Sequence, residues 1–179
     1  MLQLYFVYEI KHKHVLKASE KRIFVKRLIE TFNINVGEII GGRMEVEVAD
    51  LREKKSLIII NGRPLFIDSE GDLTPTLLFE EIIGSLPKVF VDMGAIPHIC
   101  NGADIMAPGI VRIEGEFKEG DLVAVLDERH GKAIAIARSL ASSEIIRSLK
   151  KGKVLKNIHY VGDSIWKIIF KSSSGKQKG

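Results

Sequence analysis

Residues Val91–Ile110 read VDMGAIPHICNGADIMAPGI. Two Gly-Ala pairs, Gly94-Ala95 and Gly102-Ala103, bracket a short amphipathic segment, and Met106-Ala107-Pro108-Gly109 then turns the chain into an apolar alternating run. Gly and Ala let backbone approach backbone, or a ligand, with little side chain between. Pro108-Gly109 presets a tight turn. Inside the bracket Ile96, Ile99 and Cys100 fall on one side of a short helix. Its N-terminus, Ala95 to Pro97, would turn unpaired N–H groups and a positive dipole end toward a phosphate, with His98 placed to stack or donate.

Working outward, the C-terminal half is a series of short strands broken by turns. Lys88 to Asp92 enters the bracket as a strand and Ile110 to Ile113 leaves it as another. Phe117 to Asp121 is a turn whose Gly120-Asp121 leads into a strand over Leu122 to Leu126, and His130-Gly131-Lys132 joins that strand to Ala133–Ala137. Ser142 or Ser143 caps a helix running to Leu149, Ile165 to Phe170 is expected to close the unit as a strand, and a polar, basic tail follows. Strand, turn and strand at this spacing predict a small barrel.

Upstream the pattern differs. Leu2, Leu4, Phe6, Tyr8 and Ile10 alternate as in a strand, and Ser19 to Phe32 carries Phe24, Leu28 and Phe32 at helical spacing with Ser19 as its cap. Such a helix turns Lys21, Arg22, Lys26 and Arg27 outward, and Gly37 and Gly41-Gly42 then mark a connection. Met44, Val46 and Val48 alternate with charged residues, a half-buried strand. Ser56–Ile60 and Arg63–Ile67 flank Asn61-Gly62 and predict a β-hairpin with a type I′ turn, Pro64 marking an edge strand or a bulge. Thr74-Pro75 is expected to open a helix through Ile83. The expected organisation is therefore an α+β domain over residues 1–86, a second domain over 87–171 and a disordered basic tail over 172–179.

The chain has 179 residues, of which 45% are hydrophobic, enough to bury a core in one or two small domains. The single cysteine, Cys100, excludes a disulfide framework and a four-thiolate zinc site and fits a reducing compartment. The N-terminus lacks a signal-peptide pattern and no apolar run has membrane-spanning length, so a cytoplasmic location is expected. The net charge is only +4, but it is unevenly distributed: Lys11 to Arg27 holds seven Lys or Arg against Glu20, and Arg147 to Gly179 holds nine against Asp163. Two basic segments on an otherwise acidic chain favour a polyanionic partner. His12-x-His14 with no further nearby ligand is a weak metal signal, no serine sits in a nucleophile elbow, and Cys100 reads as an inert thiol on a buried side. No enzyme, metal site or cofactor is expected.

The order Gly94-Ala95, Gly102-Ala103, Met106 to Gly109 and Gly120-Asp121 before a central strand resembles the PUA domain, the RNA-binding module of pseudouridine synthases and archaeosine transglycosylases, over roughly Lys88 to Lys171. One departure is Ala135-Ile136-Ala137, where many members carry glycine. The run Ile58 to Gly62 with Pro64-Leu65-Phe66, then Thr74 to Leu77, and later Asn157-Ile158-His159-Tyr160 with Trp166, is similar to the malignant T-cell amplified sequence family, in which a pre-PUA domain precedes a PUA domain.

That resemblance implies an α+β pre-PUA domain followed by a PUA pseudo-barrel of mostly antiparallel strands with short helices. It implies a non-enzymatic RNA-binding protein of translation, acting at the small ribosomal subunit or the acceptor end of tRNA in initiation, re-initiation or recycling, with a partner like density-regulated protein. A protein-interaction adaptor, or the stand-alone RNA-guiding subunit of a modification enzyme, is the alternative. The family's use of this loop and the adjacent late strand implies RNA contacts at Gly94, Ala95, Pro97, His98, Asn101, Gly102, Met106, Pro108 and Gly109. Lys88, Lys153, Lys156 and Lys167 would supply the charge.

Overall fold

The computed structural model describes residues 10–33, 43–52 and 54–174, the last four through their backbone. The chain divides into two compact units, Met1–Ile82 and Ile83–Gly179. The strand expected over Leu2 to Ile10 lies, Ile10 excepted, outside the described residues, as do Gly37 and Gly41-Gly42.

The first unit is an antiparallel meander of β1 (His12–Val15), β2 (Val46–Asp50), β3 (Lys55–Ile60), β4 (Arg63–Ser69) and β5 (Asp72–Pro75), in that order across the sheet. Asn61 and Gly62 have φ of 49° and 77°, as the type I′ hairpin between β3 and β4 requires. Pro64 sits at a bulge: Ile58 pairs with Phe66 but Ile59 with Pro64, leaving Leu65 as the extra residue. β4 is an inner strand, so of the two expectations for Pro64 the bulge is the one realised. Helix α1 (Ala18–Phe32) buries Phe24 and Leu28. Phe66 is fully buried, with ring centroids of Phe24, Phe32 and Phe79 at 6.3, 5.5 and 5.3 Å from its own.

Two expectations in this unit are corrected. The cap position of α1 is Lys17, not Ser19, because the Glu20 carboxylate accepts the Lys17 amide at 2.8 Å and closes the first turn there. Thr74-Pro75 ends strand β5 rather than opening a helix, and helix α2 runs over Glu80–Ser85. The bulge in β4 explains this: the Thr76 amide donates to the Leu65 carbonyl at 2.8 Å and its hydroxyl to the Pro64 carbonyl at 2.7 Å, which holds the segment extended. The basic face of α1 also serves this unit. Lys21 Nζ donates to the Met44 carbonyl at 2.9 Å, and Arg27 meets Asp68 at 2.8 Å.

The second unit is a six-stranded curled sheet in the order β7 (Ile105–Met106), β11 (Lys153–Tyr160), β10 (Ala133–Ser139), β9 (Leu122–Asp127), β6 (Lys88–Val91) and β8 (Ile110–Glu114). Only the β6–β9 pairing is parallel. Inward side chains of Val89, Val91, Val123, Val125, Ala135, Ala137 and Leu155 form its core with Ile99 and Ile105. Ala135 and Ala137 are thus core residues. Short helices α3 (Ile96–Ile99) and α4 (Ser143–Ser148) lie between strands, and the Ser142 hydroxyl caps α4.

The expected closing strand is corrected here. Ile165 to Phe170 lies in helix α5 (Ser164–Ser174), and the strand that completes the sheet edge with β7 is β11. Ile165, Ile168 and Ile169 are buried, a helical i, i+3, i+4 set, and the rings of Trp166 and Phe170, one turn apart, meet at a tilt of 41° with centroids at 4.4 Å. The expected tail over 172–179 begins inside this helix, and residues 175–179 lie outside the described ones.

Candidate nucleic-acid interface

The bracketed stretch is pinned at its two ends by Asp92. Its backbone N–H donates to the Gly109 carbonyl at 3.0 Å, so the chain entering the bracket lies beside the chain leaving it. Its carboxylate accepts the Ala95 amide at 2.8 Å and sets the turn into α3. A Cβ on Gly109 would stand 3.2 Å from the Ala95 Cβ, which is the close approach the small residues permit.

Between the bracketed stretch and the start of β11 lies a cleft of about 760 Å³. Gly94, Ala95, His98, Met106, Pro108, Gly109 and Lys153, all expected from the sequence, line it. Asp92, Ile99, Ala103, Asp104 and Ile105 line it as well and were missed. Charge patterning alone does not point to the two aspartates, since a polyanionic partner is signalled by cations. Their one visible signal is position: Asp104 directly follows Gly102-Ala103, and Asp92 precedes Gly94-Ala95 by one intervening residue.

The remaining expected residues sit elsewhere. Gly102 has φ +91°, and a Cβ there would fall 2.8 Å from the Tyr160 hydroxyl, so it serves the packing of the bracket against β11. Pro97 and Asn101 are exposed on and after α3, outside the cleft lining. Lys88 donates from Nζ to the Gly84 carbonyl at 2.8 Å, at the end of β6 away from Asp92. Lys156 is exposed on β11 and Lys167 on α5, neither in the lining. The expected row of unpaired amides at Ala95 to Pro97 is also corrected: Asp92 takes the Ala95 amide, and proline has none to offer.

The cleft is amphipathic. Ile99 and Ile105 form its floor and Met106, 48% exposed, with Pro108 its wall, while Lys153 and Asp104 pair at 3.1 Å on the rim. Burial pushes the Asp104 carboxyl up, but the Asn157 amide bonded to it and the neighbouring Lys153 and Lys156 outweigh that and hold it below its ordinary value. It is therefore an ionised acceptor at neutral pH. Such a surface suits a nucleoside: apolar side chains cover a base, a carboxylate accepts from an amino group or a ribose hydroxyl, and a lysine meets the phosphate. Burial pushes the Cys100 thiol up, away from nucleophilic reactivity.

A model described as the PUA domain matches residues 87–161, and one described as a domain of unknown function (DUF1947) matches residues 12–79. Uncharacterized protein MJ1432 of Methanocaldococcus jannaschii is 38% identical over 161 residues, 88% of this chain and 97% of that one. Translation machinery-associated protein 20 of Saccharomyces cerevisiae is 27% identical, covering 88% of this chain and 93% of its own. Malignant T-cell-amplified sequence 1 of Rattus norvegicus is 30% identical, with 84% and 87% covered. Among solved structures, a hypothetical protein from Pyrococcus horikoshii superposes with a TM-score of 0.75 at 32% identity, over 88% of this chain and 99% of that one. Both units are matched in order and the relatives are matched nearly end to end, so the chain belongs to the malignant T-cell-amplified sequence family, with a pre-PUA unit ahead of a PUA domain.

Proposed function

We propose that this chain is a non-enzymatic RNA-binding protein of the translation machinery that receives an unpaired nucleotide of tRNA or of the small ribosomal subunit in the cleft of its PUA domain. The observation that carries this reading is the cleft's composition: an apolar floor and wall, two carboxylates and Lys153 around a space of about 760 Å³. That combination favours an unstacked nucleoside over a uniformly charged duplex backbone. The yeast relative named for the translation machinery and the PUA match support it.

Lys156 and Lys167 add exposed charge on β11 and α5 of the same unit. The test is binding to small ribosomal subunits, to a tRNA and to a duplex RNA of equal length at two salt concentrations. Preference for subunits or tRNA that survives moderate salt is expected, with weaker binding after charge reversal of Lys153, Lys156 and Lys167 together. Equal, salt-abolished binding to all three would count against it, and a stable protein complex without RNA affinity would favour an adaptor.

A further inference from the structure

We propose that His12, His14 and Asp50 form a surface site for a divalent transition-metal ion of the zinc class, built across the β1–β2 pair. His12 and His14 are two apart on β1, so their side chains share one face of the sheet, and their ring centroids are 5.3 Å apart. The register places Asp50 directly opposite His12, with its Oδ2 3.8 Å from His12 Nδ1. One ligand atom from each of the three residues lies within 4.8 Å of the others, and they are the one such group of three among the described residues.

Tetrahedral zinc at bond lengths of about 2.0–2.1 Å needs ligand atoms roughly 3.3 Å apart. Small side-chain rotations on an exposed strand reach that distance. The set of two imidazoles and a carboxylate suits zinc and its neighbours better than magnesium or calcium, which take oxygen ligands.

The surroundings support the site. Ser56, which pairs with Asp50 on β3, donates its hydroxyl to Asp50 Oδ1 at 3.0 Å, orienting the carboxylate with Oδ2 toward His12. Lys13, the intervening residue of β1, points to the other face and pairs with Glu47 at 2.8 Å, which keeps its charge off the site. Among the described residues β1 is the edge strand, exposed at all four residues and paired within the sheet with β2 alone, so a shared ion clips it to its neighbour.

The test is calorimetric titration of Zn²⁺ into the chelator-treated full chain, with hydrogen exchange read at His12–Val15. One equivalent is expected to bind, slowing exchange in β1. His14→Ala and Asp50→Asn should each weaken binding at least about tenfold, while His130→Ala, an exposed histidine elsewhere, leaves it unchanged. Circular dichroism checks that each variant is folded. Equal Zn²⁺ affinity in the wild type and the triple variant His12→Ala, His14→Ala, Asp50→Asn, or equal losses in His130→Ala and His14→Ala, would overturn the assignment.

Discussion

Gly102 and Asp127 illustrate how single residues hold the second unit in shape. At Gly102 a side chain meets both a positive φ and the Tyr160 hydroxyl, so Gly102→Ala is expected to cost about 1–3 kcal/mol. Removing the hydroxyl by Tyr160→Phe in the Gly102→Ala background should return part of that loss, and equal melting temperatures for the single and double variants would refute the contact as its cause. Asp127 is 4% exposed and accepts amides from His130 and Lys132 in the turn after β9. Burial pushes its carboxyl up, but those amides outweigh the burial and hold it below its ordinary value. A depressed carboxyl contributes stability that is complete above the unfolded value of about 3.9 and is lost as pH falls through the folded value. Asp127→Asn should therefore lower stability at neutral pH by about 1–3 kcal/mol. Acid titration of the melting temperature should be flatter in the variant, and an unchanged slope would contradict the account.

Among the elements, helix α5 best separates what was legible from what was not. The hairpin of β3 and β4 could be read because Asn61-Gly62 admits one turn geometry, and α1 because Phe24 and Leu28 repeat at one helical period. Ile165 to Phe170 is an almost unbroken apolar run, which fits a buried strand as well as a helix by periodicity alone. The deciding residue lies just before it. Asp163 accepts the Trp166 amide at 2.7 Å, the Tyr160 amide at 3.1 Å, and pairs with the buried His159 ring at 2.7 Å, so it caps the helix and locks the turn out of β11. β11 itself escaped notice because the bulge at Ile158 breaks its alternation: Ile136 pairs with His159 but Ala137 with Asn157. Asp163→Ala is expected to destabilise the unit by about 2–4 kcal/mol, since a helix cap and a buried histidine lose their partner together. Chemical denaturation measures it, and a loss below about 0.5 kcal/mol would show that α5 is held by its apolar face alone.

For the whole molecule, charge patterning and site chemistry pointed to different places. The first basic segment was legible as charge but not as function, because Lys13, Lys21 and Arg27 are spent on Glu47, on the Met44 carbonyl and on Asp68 within their own unit. The cleft was legible from its glycines, Pro108 and Met106, whereas its acidic side was not, since Asp104 acquires its place through the Asn157 amide of β11 and Asp92 through the meeting of the bracket's two ends at Gly109. On the proposed reading, recognition rests on the amphipathic cleft, with lysines adding a screenable component. Met106→Asn separates the two: it makes the apolar wall polar at an exposed position and leaves the charge of the cleft, with Lys153 opposite on β11, unchanged. The most direct measurement is the tRNA affinity of Met106→Asn against the wild type at moderate salt, with folding checked by circular dichroism. A loss of at least about tenfold, roughly 1.4 kcal/mol, is expected; an unchanged affinity would contradict the proposed seating of RNA in the cleft.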